Sequence, residues 1–360
     1  LAIKSSKRLY IRKWNILNSA ISVLGIVLLF QLVFAVSDSV YEWLYFRFCF
    51  QFWRIIHDYT IGFLPVPGLF LAVILLIAIG LRFRLKGRWG LLKTCVALLI
   101  WLINVFYILW GFNYNQRPLR DKYKLHTSPV DSNYIIRTFE EQTFKLSQLS
   151  EQLDSRDIPG SMEAELRKAQ EAEFRNWDIP VAGRVRIRKL WGGSLLHFRT
   201  SGIYIPHAGE GHIDGGLYKV QHPFTMAHEM AHGYGITDES ECNFIAYITC
   251  LQSRHPLYRY SAELAYWRYL ASYYRRLRPE EWKTVYADLP EGLTGDLEAI
   301  RAHIAQYKEW MPKYRDVIYD RYLKSHGVAE GIRSYDQMIV LIKAYNELKN
   351  GDTPTHLPHQ

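Results

Sequence analysis

His228-Glu229-Met230-Ala231-His232 decides how this 360-residue chain reads. Residues four apart on an α-helix lie on one face, one turn above the other. A helix here presents two imidazoles to one metal ion. Glu229 sits about 100° round the axis from His228, within reach of a water on that metal. The pattern H-E-x-x-H is the signature of zinc hydrolases, in which the carboxylate takes the proton of the attacking water.

The flanks agree with a helix. Pro223 suits a first turn, Met226, Ala227, Met230 and Ala231 favour helix, and Gly233 and Gly235 end it directly after the second histidine. The chain then turns back, and a third ligand is expected from the next helix, capped by Asp238 or Ser240. Glu241, in its first turn, is the preferred ligand and completes a His₂Glu catalytic site. Asp238 is the alternative, because His228 to Asp238 also fits H-E-x-x-H-x-x-G-x-x-D. That pattern needs a methionine turn behind the metal, and the next methionine is Met311, in an unsuitable Trp310-Met311-Pro312 setting. Glu239 is a third choice. The carboxylate not used as ligand is expected to orient a histidine.

Upstream, three apolar runs read as membrane spans: 16–36, 61–81 and 94–110. The second is interrupted by Pro65 and Pro67, and the third is short. Lys4, Lys7, Arg8, Arg12 and Lys13 precede the first span, and Arg82, Arg84, Lys86, Arg88 and Lys93 lie between the second and third. The positive-inside rule puts both segments in the cytoplasm and everything after Trp110 on the outer, periplasmic side of a bacterial inner membrane. The aromatic segment 41–57 is expected to lie along the outer interface; a further span there would reverse the orientation. The first run is read as an uncleaved anchor rather than a signal peptide, because two more spans follow.

Composition agrees with a membrane protein. Aromatic residues make up 15% of the chain, with 11 Trp and 25 Tyr, and the net charge of +9 is concentrated beside the apolar runs. The charge is therefore topology signal, and no nucleic-acid partner is expected. Cys49, Cys95, Cys242 and Cys250 form no C-x-x-C pair; Cys242 and Cys250 are about 12 Å apart along one helix, too far for a disulfide.

The expected fold is mainly α: an anchor over 1–112, then an α+β zincin-like metallopeptidase domain over 113–360. In that domain the spacing predicts helices over 131–153 and 161–177, strands over 185–190 and 195–205, and a glycine-rich loop over 208–216. Helices over 258–277, 279–289, 294–310, 313–325 and 334–348 follow the site. Ser201 to Pro206 is the expected strand edge for an extended substrate. His207, His212 and His222 are weaker choices as ligands or transition-state donors, and Tyr204, Tyr234 and Tyr247 as oxyanion donors.

Several stretches together resemble a bacterial membrane protein family, domain of unknown function 3810. They are Trp110-Gly111-Phe112-Asn113-Tyr114, Gly202-Ile203-Tyr204-Ile205-Pro206, Thr225 through His232, Glu241-Cys242-Asn243-Phe244-Ile245-Ala246-Tyr247, Ser334-Tyr335-Asp336 and Ala344-Tyr345. Glu241-Cys242-Asn243-Phe244 is also similar to the third-ligand helix of metallopeptidases that cleave phage repressors, where alanine is usual in place of Cys242. That resemblance implies Glu241 as ligand. The expected function is a membrane-anchored zinc peptidase acting on a peptide or protein substrate, with Zn²⁺ on His228, His232 and Glu241 and Glu229 as base. A zinc-containing sensor or scaffold without turnover is the alternative. An intramembrane protease is disfavoured, because polar residues bracket the motif too closely for a span.

Overall fold

The computed structural model describes residues 16–83, 87–153, 160–310 and 337–350. The expected helix over 313–325, the start of the one over 334–348, Met311, the Ser334-Tyr335-Asp336 stretch and the basic residues 4–13 lie outside the described residues.

Helix α1 (Ile16–Val36) coincides with the first apolar run. A continuous helical run follows, α2, made of Asp38–Val40, a π-helical stretch Tyr41–Phe50, and Gln51–Asp58. Ser37 starts it by accepting the amide N–H of Val40. The expected second span is shorter than its sequence suggests. Ile61–Phe63 forms a single 3₁₀ turn, Pro65 and Pro67 follow, and helix α3 is Gly68–Phe83, 16 residues. That is about 24 Å of helix against a hydrocarbon layer of roughly 30 Å. Helix α4 (Gly87–Leu109) packs against α1 and, less extensively, α3. Among the described residues two helices, Ile16–Val36 and Leu92–Leu109, are long and apolar enough to cross a membrane.

Helix α2 does not stand alone. Tyr41 donates to Asn113 Oδ1 (3.1 Å), Lys122 meets Glu42 (3.3 Å), and Arg47 pairs with Asp178 (2.8 Å). Arg54 donates to the Gly209 carbonyl (2.7 Å), and Asp58 accepts the Arg184 amide (2.7 Å). α2 is thus tied near its start, middle and end to later parts of the chain.

Among the described residues the longer helices that follow are α5 (Ser132–Glu151), α6 (Met162–Asn176), α7 (His222–Gly233), α8 (Glu239–Leu251), α9 (Pro256–Leu277), α10 (Pro279–Ala287), α11 (Glu291–Ala305) and α12 (Gln337–Asn350), besides a single turn at Leu119–Lys122. They leave room for one small mixed sheet in the order β1-β3-β2: β1 (Ile187–Leu190), β3 (Glu210–Asp214) and β2 (Gly202–Ile205). β1 runs parallel to β3 with Ile187 opposite Gly211, and β2 antiparallel with Gly202 opposite Ile213.

Two sequence expectations are corrected here. The glycine-rich loop over 208–216 contains the central strand. Its residues Glu-Gly-His-Ile-Asp show no apolar alternation, yet all five are buried. Their polarity is met by the fold: Arg188 pairs with Glu210 (3.0 Å), and Asp214 accepts the amides of Gly193 (2.9 Å), Leu195 (2.6 Å) and Leu196 (3.0 Å). Those same bonds pull Leu196–Phe198 into a 3₁₀ turn closed by Arg199 at φ +57°, so the strand expected over 195–205 is confined to 202–205.

Helix α7 lies on the sheet and is packed by α6, α8 and α9, while α5 packs on α9. One apolar core runs through all of this. It joins Val27 and Phe34 of α1, Tyr41, Tyr45, Phe46 and Phe50 of α2, and Trp110 and Phe112 to the residues around α7, α8 and α12. The core is continuous across the 112/113 boundary.

Candidate metal centre

Helix α7 begins at His222 with Pro223 in its first turn and carries His228, Glu229 and His232 toward α8 and the sheet. Helix α8 begins at Glu239 because Asp238 caps it, its carboxylate accepting the Glu241 amide (2.9 Å) and the Ser240 hydroxyl. That leaves Glu239 in the first turn, facing α7. Glu239 Oε2 lies 3.1 Å from His228 Nε2 and 3.7 Å from His232 Nε2. The three ligand atoms all fall within 4.8 Å of one another. Two ligands each about 2.05 Å from a tetrahedral zinc are separated by about 3.3 Å. Glu239 stands near that distance from both imidazoles, so the three residues could hold a metal ion.

Glu241, the ligand preferred from sequence, is elsewhere. It sits about 200° round the helix from Glu239. Its Oε1 accepts the Leu119 amide (2.5 Å), and burial pushes its pKa up to about 8. Asp238 is occupied as the cap. Glu239, the third choice, is the carboxylate that meets the imidazoles.

The outer nitrogens of both rings are engaged. His228 Nδ1 is 2.9 Å from Asn243 Oδ1, and Asn243 Nδ2 in turn donates to Tyr269 Oη (3.0 Å). His232 Nδ1 is 2.9 Å from the Ile236 carbonyl, and the Cys242 thiol lies 3.3 Å from the same nitrogen. An amide oxygen and a carbonyl can only accept, so both Nδ1 atoms carry hydrogen and both Nε2 atoms face Glu239. The rings stand 4.9 Å apart at 81°. Trp110, the first residue beyond α4, donates its indole N–H to the His232 carbonyl (2.7 Å).

The charges fit a cation. Burial opposes ionisation of Glu239, but hydrogen bonds from His228 and His232 outweigh it and hold the carboxylate well below its usual range. Burial likewise opposes a charged His232, and Cys242 and Glu239 outweigh it, raising that imidazole well above its usual value. A bound cation would take the place of those protons.

Glu229 is nearly inaccessible, and its pKa is raised by burial. Its Oε2 has no hydrogen-bond partner among the described residues. The sheet approaches it closely. A β-carbon on Gly202 would lie 2.5 Å from Glu229 Oε1, and one on Gly211 2.8 Å from Glu229 Cβ. β2 is an edge strand. Asp214 N–H bonds to the Ser201 carbonyl (2.9 Å), so by antiparallel alternation the backbone groups of Gly202 and Tyr204 point away from β3.

The other sequence choices do not join the group. His207 Nε2 meets the Leu102 carbonyl (2.9 Å), and His212 is buried on the central strand 3.4 Å from Glu210. His222, at the start of α7, is pushed down to about 4 by burial. Tyr204 Oη is bonded to Arg54 (3.2 Å), Tyr234 donates to Glu171 (2.8 Å) and Tyr247 to Glu263 (3.2 Å). Asn243, Tyr269 and the Trp110 indole were not singled out individually from sequence. A cap at Asp238 implies Glu239 in the first turn and Asn243 one turn later, and that signal was available.

Fold and site define a mainly helical protein with a small mixed sheet and a two-histidine, one-carboxylate group between helices. The chain belongs to the family described as Protein of unknown function (DUF3810), matched over residues 45–343, from within α2 to within α12. No curated protein and no solved structure matches it.

Proposed function

We propose that the protein is a membrane-anchored zinc peptidase whose ligands are His228, His232 and Glu239. The observation that carries this reading is the spacing of those three ligand atoms beside a buried, unpartnered Glu229 oxygen. Bound zinc would polarise a scissile carbonyl and supply a water nucleophile at neutral pH. Glu229 would accept a proton from the attacking water at Oε2 and pass it to the leaving amine. Burial raises its pKa, the direction that favours retaining the proton until it passes to the amine. Asn243 and the Ile236 carbonyl hold the two imidazoles in the ligating tautomer. The open edge of β2 supports an extended peptide held by main-chain hydrogen bonds beside Glu229.

The placement of the helices supports a site on the outer face of the cytoplasmic membrane. The end of α1, all of α2, the first residue of α3 and the residue after α4 contact the domain; Gly68 N–H reaches Glu210 itself. α3 and α4 therefore leave the domain and return as a hairpin. The far ends of all three helices are flanked by the basic residues 4–13 and 82–93, which favour the cytoplasm.

Metal analysis of the full chain tests this reading. About one zinc per chain is expected. It should be lost in Glu239→Ala and retained in Glu241→Ala and Glu229→Ala, with Glu229→Ala abolishing hydrolysis. Zinc retained in Glu239→Ala would overturn the ligand set, and an active Glu229→Ala would overturn the mechanism. Zinc binding without turnover in the unaltered protein would favour a sensor or scaffold.

A further inference from the structure

Helix α2 is built inside out for a water-soluble protein. Its ionic groups Arg54 and Asp58 are buried against the domain, paired at 2.6 Å. Its outer face exposes Trp43, Leu44, Phe48, Phe52, Ile55 and Ile56. Leu28, Leu29, Leu32 and Val36 of α1, and Ile61, Phe63 and Leu64 after α2, are exposed as well. So many exposed apolar side chains, on and beside a helix fit to cross a membrane, suit a cover of lipid.

The metal centre rests on the inner side of that helix. A β-carbon on Gly235, just past α7, would stand 3.1 Å from the rings of both Phe46 and Phe50. Arg54 ties α2 to the substrate edge itself through Tyr204 Oη (3.2 Å) and the Gly209 carbonyl. The end of β2 reaches α4: His207 bonds to the carbonyl of Leu102, seven residues before the helix ends at Leu109. That is about 10 Å down a helix some 34 Å long. The headgroup zone is only about 5–8 Å thick on each side. The edge strand therefore ends at the boundary between headgroups and acyl chains. Exposed Ile203 on β2, with Phe198 and Trp191 nearby in the chain, gives that part of the domain an apolar surface; the Trp191 ring lies tilted 5.7 Å from that of Phe70 in the first turn of α3.

We infer that the substrate is a juxtamembrane segment of another membrane protein, drawn out as an extended strand at the bilayer surface and laid along β2. This rests on the peptidase reading above. α2 lies flat in the interface, and a chain emerging from the membrane beside α4 reaches β2 directly. A helix diameter of about 10 Å separates lipid from the site, which an extended chain covers in three or four residues. Cuts should fall within about ten residues of the end of a transmembrane helix. A freely diffusing peptide lacks that local concentration.

Two measurements on the full chain in phosphatidylethanolamine–phosphatidylglycerol vesicles test this. The first places nitroxide labels at Trp43→Cys, Phe52→Cys and Ile203→Cys in a Cys49→Ser, Cys95→Ser background. Labels at 43 and 52 should be more accessible to oxygen than to a water-soluble nickel complex, and the label at 203 should lie at headgroup depth. Bulk-water accessibility at 43 and 52, or at 203, overturns the placement. The second offers the zinc-loaded protein a random 40-residue segment, either free or fused to a single transmembrane helix in the same vesicles. Cuts at least tenfold faster in the fused form and clustered near the helix are expected. Equal rates, or cuts spread evenly along the segment, overturn the substrate class while leaving the peptidase reading intact. No cut in either form overturns the peptidase reading, and this inference with it.

Discussion

Glu239 and Glu241 are two positions apart and serve opposite ends of the electrostatic range. The first is held ionised by two imidazoles; the second is buried with its pKa at about 8. From sequence, Glu241 is preferred, Asp238 is the alternative and Glu239 the third choice; choosing among them depends on the phase of α8, which a single residue of shift at its start reverses. The Asp238 cap fixes that phase. Glu241 also predicts a pH dependence. Its folded pKa lies above its reference value of 4.5, so its contribution to stability is full below that value and is lost as pH rises through about 8. The melting temperature of the full chain should fall between about pH 5 and pH 8 and level off above it. Glu241→Gln, which cannot ionise, should flatten that fall; an unchanged pH profile would rule Glu241 out as its source. Gly202 predicts a kinetic effect. Adding a methyl group there forces Glu229 aside. Gly202→Ala should keep the fold, costing about 1–3 kcal/mol, and lower peptide hydrolysis on the order of a hundredfold. The measurement is kcat with zinc content held equal.

At the scale of elements, periodicity served the helices well and the sheet poorly. α5 and α9 lie within a few residues of where the sequence puts them and have a clear buried face, and α1 and α6 lie where an apolar run and a charged stretch read as helices. β3 has no such signal. It is buried on both sides by partners distant in sequence, Arg188 on one strand and the amides near Gly193, and no local pattern reports that. α2 is the intermediate case. Its aromatic density pointed to an interface, but its inner ionic face is explained only by the 205–210 hairpin it meets. Arg54 holds that junction together. Arg54→Ala would leave Asp58 buried without its cation and should cost about 3–5 kcal/mol. Thermal unfolding of the full chain in detergent checks this, and a loss below about 1 kcal/mol would show that the pair is not the clamp described.

For the whole molecule, the apolar core gives no place to cut between anchor and domain. Phe34, Tyr41, Tyr45 and Phe50 belong to the same core as Phe112, Tyr234 and Ile236, and the family match begins inside α2. A fragment of residues 113–360 should therefore expose the surface that α2 covers. Strong binding of a hydrophobic dye and loss of near-ultraviolet circular dichroism are expected, in contrast to the full chain. A compact, dye-silent fragment would mean that α2 is dispensable. The anchor was legible as apolar composition; its part in the core was not, because hydropathy reports what lipid would accept and not which face a neighbour already covers. The Trp110 indole gives this unity a mechanical side. It couples the end of α4 to the carbonyl of His232, a ligand of the proposed metal centre, through one hydrogen bond. A lever about 34 Å long that tilts by 5° moves its tip by roughly 3 Å, whereas metal sites tolerate displacements of about 0.2 Å. With α4 in a bilayer, the thickness of that bilayer and the geometry of the site become two ends of one lever.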